Sequence, residues 1–181
     1  MIKMLIKARL TGIIVLATLI VSCRNHKEKV ITSSDIFNYY VVNHKALYFN
    51  VPPGIVSLFL DESQPGNPEL KEILKDVHHL SFLIINSKSS SNNECLHYKE
   101  LNDKLDSINF SDIAQINNGR EIIRVKVDKE RRFFNELVVI VSNRDALYCI
   151  SFKGKIPSKK VINLVKPENV VAVTNLNRFK H

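Results

Sequence analysis

Six histidines, eighteen carboxylates and three cysteines are the groups in this 181-residue chain that could ligate a metal, move a proton or act as nucleophiles. The densest imidazole pair is His78-His79. Neighbours along a strand point to opposite faces, so these two cannot chelate one ion there. Recruiting His44 or His97 requires a convergence that spacing does not predict. Zinc motifs hold ligands at i, i+4 or in Cys-x2-Cys pairs, and neither pattern occurs. His78-His79 therefore reads as a helix-terminal pair beside the preceding helix dipole. Asp61-Glu62, being adjacent, diverge and read as a helix end running into a turn. There is no Gly-x-Ser-x-Gly elbow, phosphate loop, His-Glu-x-x-His or Ser-x-x-Lys motif. No catalytic, cofactor-binding or metal-ligating residue is assigned on these grounds. An enzyme with dispersed catalytic residues stays open, because such sites are defined by geometry.

Two other groups carry candidate chemistry. Cys23 follows Ile20-Val21-Ser22 at the end of an apolar run, Leu10 to Val21, preceded by Lys3, Lys7 and Arg9. A basic stretch, a twelve-residue apolar core and a small residue before the cut fit a secretory signal. The core falls short of the roughly 20 residues a spanning helix needs. With cysteine after Ser22, the site resembles a bacterial lipoprotein processing site. That resemblance implies diacylglycerol on the Cys23 sulfur and an acyl chain on its amino group. Each buried methylene contributes about 0.8 kcal/mol, so three chains anchor firmly. The second group is Lys129-Glu130-Arg131-Arg132 followed by Phe133-Phe134. Lys129, Arg131 and Arg132 form a candidate membrane-facing basic patch for lipid phosphates. The alternative is a solvated hairpin turn followed by one core-facing Phe. Lys153, Lys155, Lys159 and Lys160 could broaden the patch.

Removing Lys3, Lys7 and Arg9 with the leader lowers the net charge from +8 to +5. Nucleic acid is a poor partner, since no Lys/Arg-rich stripe with interleaved aromatics appears. Residues 1–22 thus read as signal peptide, 23–34 as lipidated tether and 35–181 as one domain. Flexible coil over the eleven residues Arg24 to Ser34 spans roughly 18 Å. Cys95 and Cys149 sit in apolar patterns and are expected as buried thiols. A disulfide between them, worth about 4 kcal/mol, is the less favoured arrangement.

The elements that must carry these groups follow from periodicity. Leu47 to Val51 predicts a strand and Ile55, Leu58 and Phe59 a short helical face behind Pro52-Pro53. Asn67-Pro68 predicts a helix start, with Leu70, Ile73, Leu74 and Val77 on one face. Leu80 to Ile85 predicts a buried strand, and residues 88–93 a loop. Cys95, Tyr98, Leu101, Leu105 and Ile108 share a helix face. Ile123, Val125 and Val127 alternate with Arg124, Lys126 and Asp128, which predicts a strand with one wet face. Leu137 to Val141 predicts a strand covered on both faces. The Ser142 to Asp145 turn joins it to a Leu147 to Phe152 strand. Val161, Leu164 and Val165 predict a short last helix. Tyr39-Tyr40 and Tyr48-Phe49 read as core or edge packing. The order points to α+β, an antiparallel-rich sheet with helices packed on one face.

The aliphatic strand LVVIVS, the turn NRDA, LYCISFKGKI with Gly154 and Ile156, and the helical start VINLV together resemble domain-of-unknown-function family 4252. The likeness extends more loosely to VPPGIVSLFL and covers roughly Asn50 to Val165. It implies a small exported lipoprotein of the Bacteroidota type, with no activity attached. The resulting expectation is a lipid-anchored cell-envelope protein with a non-catalytic binding or assembly domain. A hydrolase-like envelope enzyme and a carrier of an apolar ligand are the alternatives. The membrane is a partner through Cys23, an envelope protein is a second, and no cofactor is expected. With Arg24 after Cys23 and no acidic run, the periplasmic face of the outer membrane is favoured.

Overall fold

The computed structural model describes residues 31–86 and 95–176. The leader, Cys23, the tether as far as Val30 and the 88–93 loop lie outside them. The chain runs α1 (Ser33–His44), β1 (Leu47–Val51), α2 (Pro53–Leu58), α3 (Asn67–Leu74) and β2 (Val77–Asn86). It continues through α4 (Tyr98–Asp106), β3 (Phe110–Asn117), β4 (Ile122–Glu130), β5 (Phe133–Ser142), β6 (Ala146–Pro157), α5 (Ser158–Leu164) and α6 (Pro167–Thr174). The strands form one antiparallel sheet in the order β1-β2-β6-β5-β4-β3. The α+β expectation holds. None of the described helices is long and apolar enough to cross a membrane.

The helices, expected on one face, cover both. β5 and β6 lie at the centre and are almost unbroken runs of apolar side chains, so each face exposes apolar surface that must be covered. Leu137, Val139, Ile150 and Phe152 pack with Leu70, Ile73, Val161 and Val173 from α3, α5 and α6. Val138, Ile140, Leu147 and Cys149 pack on the opposite face with Phe37, Tyr40, Leu101 and Leu105 from α1 and α4. Each such side chain contributes about 1.5–3 kcal/mol by leaving water.

Several local expectations change with that second layer. Ser33 and Ser34, placed in the tether, begin α1, which the sequence reading did not assign. A capping box holds its start: Asp35 N–H donates to Thr32 Oγ1 at 3.3 Å and Thr32 N–H donates to Asp35 Oδ2 at 3.0 Å. α2 forms as expected, but its inward residue is Val56, while Leu58 and Phe59 are 83% and 68% exposed. α3 is capped by Gly66 rather than Asn67. Gly66 has φ +81°, and a Cβ there would lie 2.1 Å from the Asn169 carbonyl oxygen of α6. Four consecutive strands replace the expected three, because β3 is mostly exposed and lacks an apolar run. Two helices, not one, follow β6. Cys95 and Cys149 are both buried, as their apolar surroundings predict. Tyr40 is fully buried, and Phe49 stacks on Phe82 at 5.1 Å.

The expected wet face of β4 is largely covered by α4. Lys126 has 0% side-chain exposure, and its ammonium reaches Asp106 at the end of α4 (2.6 Å) and Asp112 on β3 (2.9 Å). Arg124 lies 5.5 Å from the Tyr98 ring centre and donates to Gln115 at 2.6 Å. Alternation in β4 is therefore real, but its polar side is a buried ion-pair seam. Asp106 and Asp112 remain 52% and 46% exposed, so the desolvation cost falls on the lysine. A second polar knot ties α1 to the sheet. Buried Glu136 accepts from Ser33 Oγ at 2.7 and 2.8 Å and from Ser151 Oγ. Lys153 Nζ stands 3.7 Å away and donates to Ser34 Oγ at 2.7 Å. Burial pushes the Glu136 carboxyl above its usual value, while the hydrogen bonds from Ser151 and Ser33 and the Lys153 charge oppose the shift.

Two outcomes follow from these knots. Asp106→Asn with Asp112→Asn leaves a buried ammonium without counter-charge and should cost about 3 kcal/mol or more. Lys126→Met leaves two half-solvated carboxylates and should stay within about 1 kcal/mol of wild type; denaturant midpoints check the order. For Glu136, a raised folded value means the native state holds the proton more tightly than the unfolded chain. Its contribution to stability therefore rises as pH falls through the folded value, and is complete below the unfolded one. Wild type should gain on Glu136→Gln as pH drops from neutrality towards the carboxylate range, measured by denaturant unfolding of both at each pH. A constant difference would contradict it.

Candidate functional site

The turn between β4 and β5 is two residues long, Arg131-Arg132, with Glu130 paired to Phe133 across it. Arg131 has φ +50°, a left-handed conformation that costs a non-glycine residue about 1–2 kcal/mol. This corner stands beside the end of β6, where Phe133 pairs with Pro157, and the start of β2. Of four register shifts in the sheet, one is on β3 between Asp112 and Ala114, and the others fall between Val77 and His79, Asp128 and Lys129, and Phe134 and Glu136. The last three lie at this end of the sheet, and β-bulges commonly re-aim side chains around sites. At the first of them β2 presses on β6: a Cβ on Gly154 would lie 2.0 Å from the Asp76 carbonyl oxygen.

Together these elements frame an open cleft of about 820 Å³ lined by His78, Glu130, Arg131, Arg132, Phe133, Asn135, Gly154 and Lys155. Lys155 sits over the half-buried Phe133 ring, 4.7 Å from its centre. Phe134 points into the core, as the hairpin reading requires. Arg131 and Arg132 line the cleft, whereas Lys129 is exposed beside it. None of the three forms an ion pair with another described residue. Of the four lysines expected to broaden the patch, Lys155 joins it. Lys153 is engaged with Glu136 and Ser34, and Lys160 with Asp76 at 2.7 Å. Lys159 is exposed and lies outside the cleft lining. His78, Asn135 and Gly154 were not assigned to the cleft from sequence; only the strand pairing brings them there.

The cleft carries three cations against one carboxylate, and its lining holds His78 but no serine, threonine or cysteine. The Ser34–Lys153 contact elsewhere brings a hydroxyl to an amine. It lies in the knot that docks α1, with Glu136 beside the lysine. The Cys149 thiol is pushed well up by burial first and by the Glu136 charge, which suppresses the nucleophilic thiolate. Between sheet and helices, the space beside Phe49, Phe82, Tyr148 and Leu176 is about 10 Å³, room for about one water. An apolar carrier needs roughly 300 Å³ or more, far more than this space offers.

The histidines divide. His78 is exposed in the cleft and His79 is half-buried on β2. They sit at the start of the strand, not at a helix end. His44 and His97 instead stand with ring centres 4.3 Å apart, a convergence that spacing does not predict.

No curated protein and no solved structure matches the chain. A family model described as a domain of unknown function matches residues 39–164. That span starts in α1, earlier than the expected Asn50, and ends within α5. It takes in the whole sheet and every residue of the cleft. The chain belongs to the family of the domain of unknown function DUF4252.

Proposed function

We propose that this protein is a lipid-anchored cell-envelope component whose domain is a non-catalytic binding or assembly module. In this reading Cys23 carries the acyl chains, and the cleft at the β4–β5 turn is the working surface. The anchor rests on Ile20-Val21-Ser22-Cys23 behind a basic and apolar leader. One observation supports the binding reading above the others. Arg131, Arg132 and Lys155 converge on a concave surface with an aromatic floor at Phe133 and no serine, threonine or cysteine. Arginine and a part-exposed aromatic ring are the side chains that dominate binding surfaces. Arg131 also holds its place at an unfavourable φ, and strain of this kind clusters at functional positions. An acidic segment of an envelope protein fits the charge best. The periplasmic face of the outer membrane is the proposed address.

Fractionation and co-purification from native membranes test both parts. Cys23→Ala should move the protein out of the membrane fraction. Arg131→Glu with Arg132→Glu should leave it membrane-bound but weaken partner capture about tenfold, or roughly 1.4 kcal/mol. Membrane retention of Cys23→Ala would remove the anchor. Partner recovery unaffected by charge reversal, or hydrolysis by the domain, would remove the binding reading.

A further inference from the structure

His44, His97 and Glu100 lie more than fifty residues apart at the extremes, yet their ligand atoms all fall within 4.8 Å of one another. The fold fixes each one. α1 ends in a left-handed cap at Lys45 (φ +53°), which leaves His44 in its last turn. His97 caps α4 without a side-chain hydrogen bond of its own. Glu100 follows one turn later on the same helix face. His97 Nδ1 is 3.6 Å from Glu100 Oε2, close to the roughly 3.3 Å edge of a tetrahedron with bonds of 2.0–2.1 Å. The third donor comes from the other helix.

A second observation points at the same spot. His44 Nε2 is buried and has no hydrogen-bond partner, and the same holds for the hydroxyl of Tyr40, whose side chain is 0% exposed. Tyr40 packs against both imidazoles, with ring centres 5.4 Å from His44 and 5.8 Å from His97. An unpartnered polar atom held away from water is costly, and a ligand that supplies its partner removes that cost. Glu100 stands beside the phenol, and burial first and the Glu100 charge next push the phenol above its usual value. Lys104 takes the other carboxylate oxygen at 3.6 Å, so Oε2 is left towards His97.

We propose that His44, His97 and Glu100 bind one divalent transition-metal ion of the zinc class, clamping α1 to α4. Two imidazoles and one carboxylate are a donor set that zinc accepts, with a fourth position for water. Bonds of 2.0–2.1 Å require the widest of these separations to close from 4.8 Å to roughly 3.3 Å. The Tyr40 hydroxyl stands ready to hydrogen-bond Glu100 or that water, as outer partners of metal ligands do. Metal binding would give the unpartnered imidazole nitrogen its partner. It would also lock the helix pair that covers one face of the sheet.

The test is titration of the full chain in detergent with Zn²⁺ and with Co²⁺. One equivalent should bind, with visible Co²⁺ bands of a four-coordinate N/O site. Paramagnetically shifted proton signals should come from two of the six imidazoles. His44→Asn, His97→Asn and Glu100→Gln should each weaken binding at least tenfold, whereas His78→Asn with His79→Asn should leave it unchanged. Far-UV circular dichroism separates an unfolded variant from a folded one that has lost the ion. If a variant unfolds, the wild-type Co²⁺ spectrum decides alone. No saturable binding by wild type would overturn the proposal. So would binding that survives His97→Asn and Glu100→Gln, or that disappears with His78 and His79.

Discussion

The structure depends on covering β5 and β6 on both faces. Leu137 to Val141 and Leu147 to Phe152 place apolar side chains alternately up and down with scarcely a polar interruption. A sheet with such a centre is stable in water only if each face is capped. The chain meets this by sending α1 and α4 to one side and α2, α3, α5 and α6 to the other. The second layer brings the costs and the chemistry of the fold. Polar residues that a one-layer sheet would leave in water are now enclosed, and they must find partners.

Those partners are found at the joints between helix and sheet. Lys126 is enclosed by α4 and answered by Asp106 and Asp112. Glu136 is enclosed by α1 and answered by Ser33, Ser151 and Lys153. Both knots fasten the same layer, which also contains the His44, His97 and Glu100 cluster. The opposite layer is held mainly by aliphatic packing. The basic cleft belongs to neither layer. It forms at the end of the sheet, where three register shifts loosen the pairing and the two-residue turn carries Arg131 and Arg132 outward.

Legibility in the sequence followed the strength of local patterning. β2, β5 and β6 were readable because long apolar runs bounded by turn residues admit few alternatives. α3 and α4 were readable because Leu70, Ile73, Leu74 and Leu101, Leu105 repeat at helical spacing. α1 was missed although Thr32 and Asp35 form a capping-box pattern. Its polar start continued the composition of the preceding segment. β3 was missed because an edge strand needs no apolar run. The cleft was half legible: Arg131 and Arg132 are adjacent in the basic run, whereas His78, Asn135 and Gly154 reach it only through pairing. At the histidine cluster the visible signal was His97 and Glu100 at i, i+3, one turn apart on α4.

The sequence by itself determined which segments are helix or strand where periodicity is long, that Cys95 and Cys149 are buried, and that the class is α+β. It also carries, on its own, the case for an acylated Cys23. Tertiary structure decided that there are two helical layers, that Lys126 is buried rather than wet, and that His44 meets His97. The physical reason is the range of the signal. Hydropathy spacing reports whether a side chain is covered, because that depends on its own element. It does not report what covers it, because the covering element is chosen by burial summed over the whole sheet.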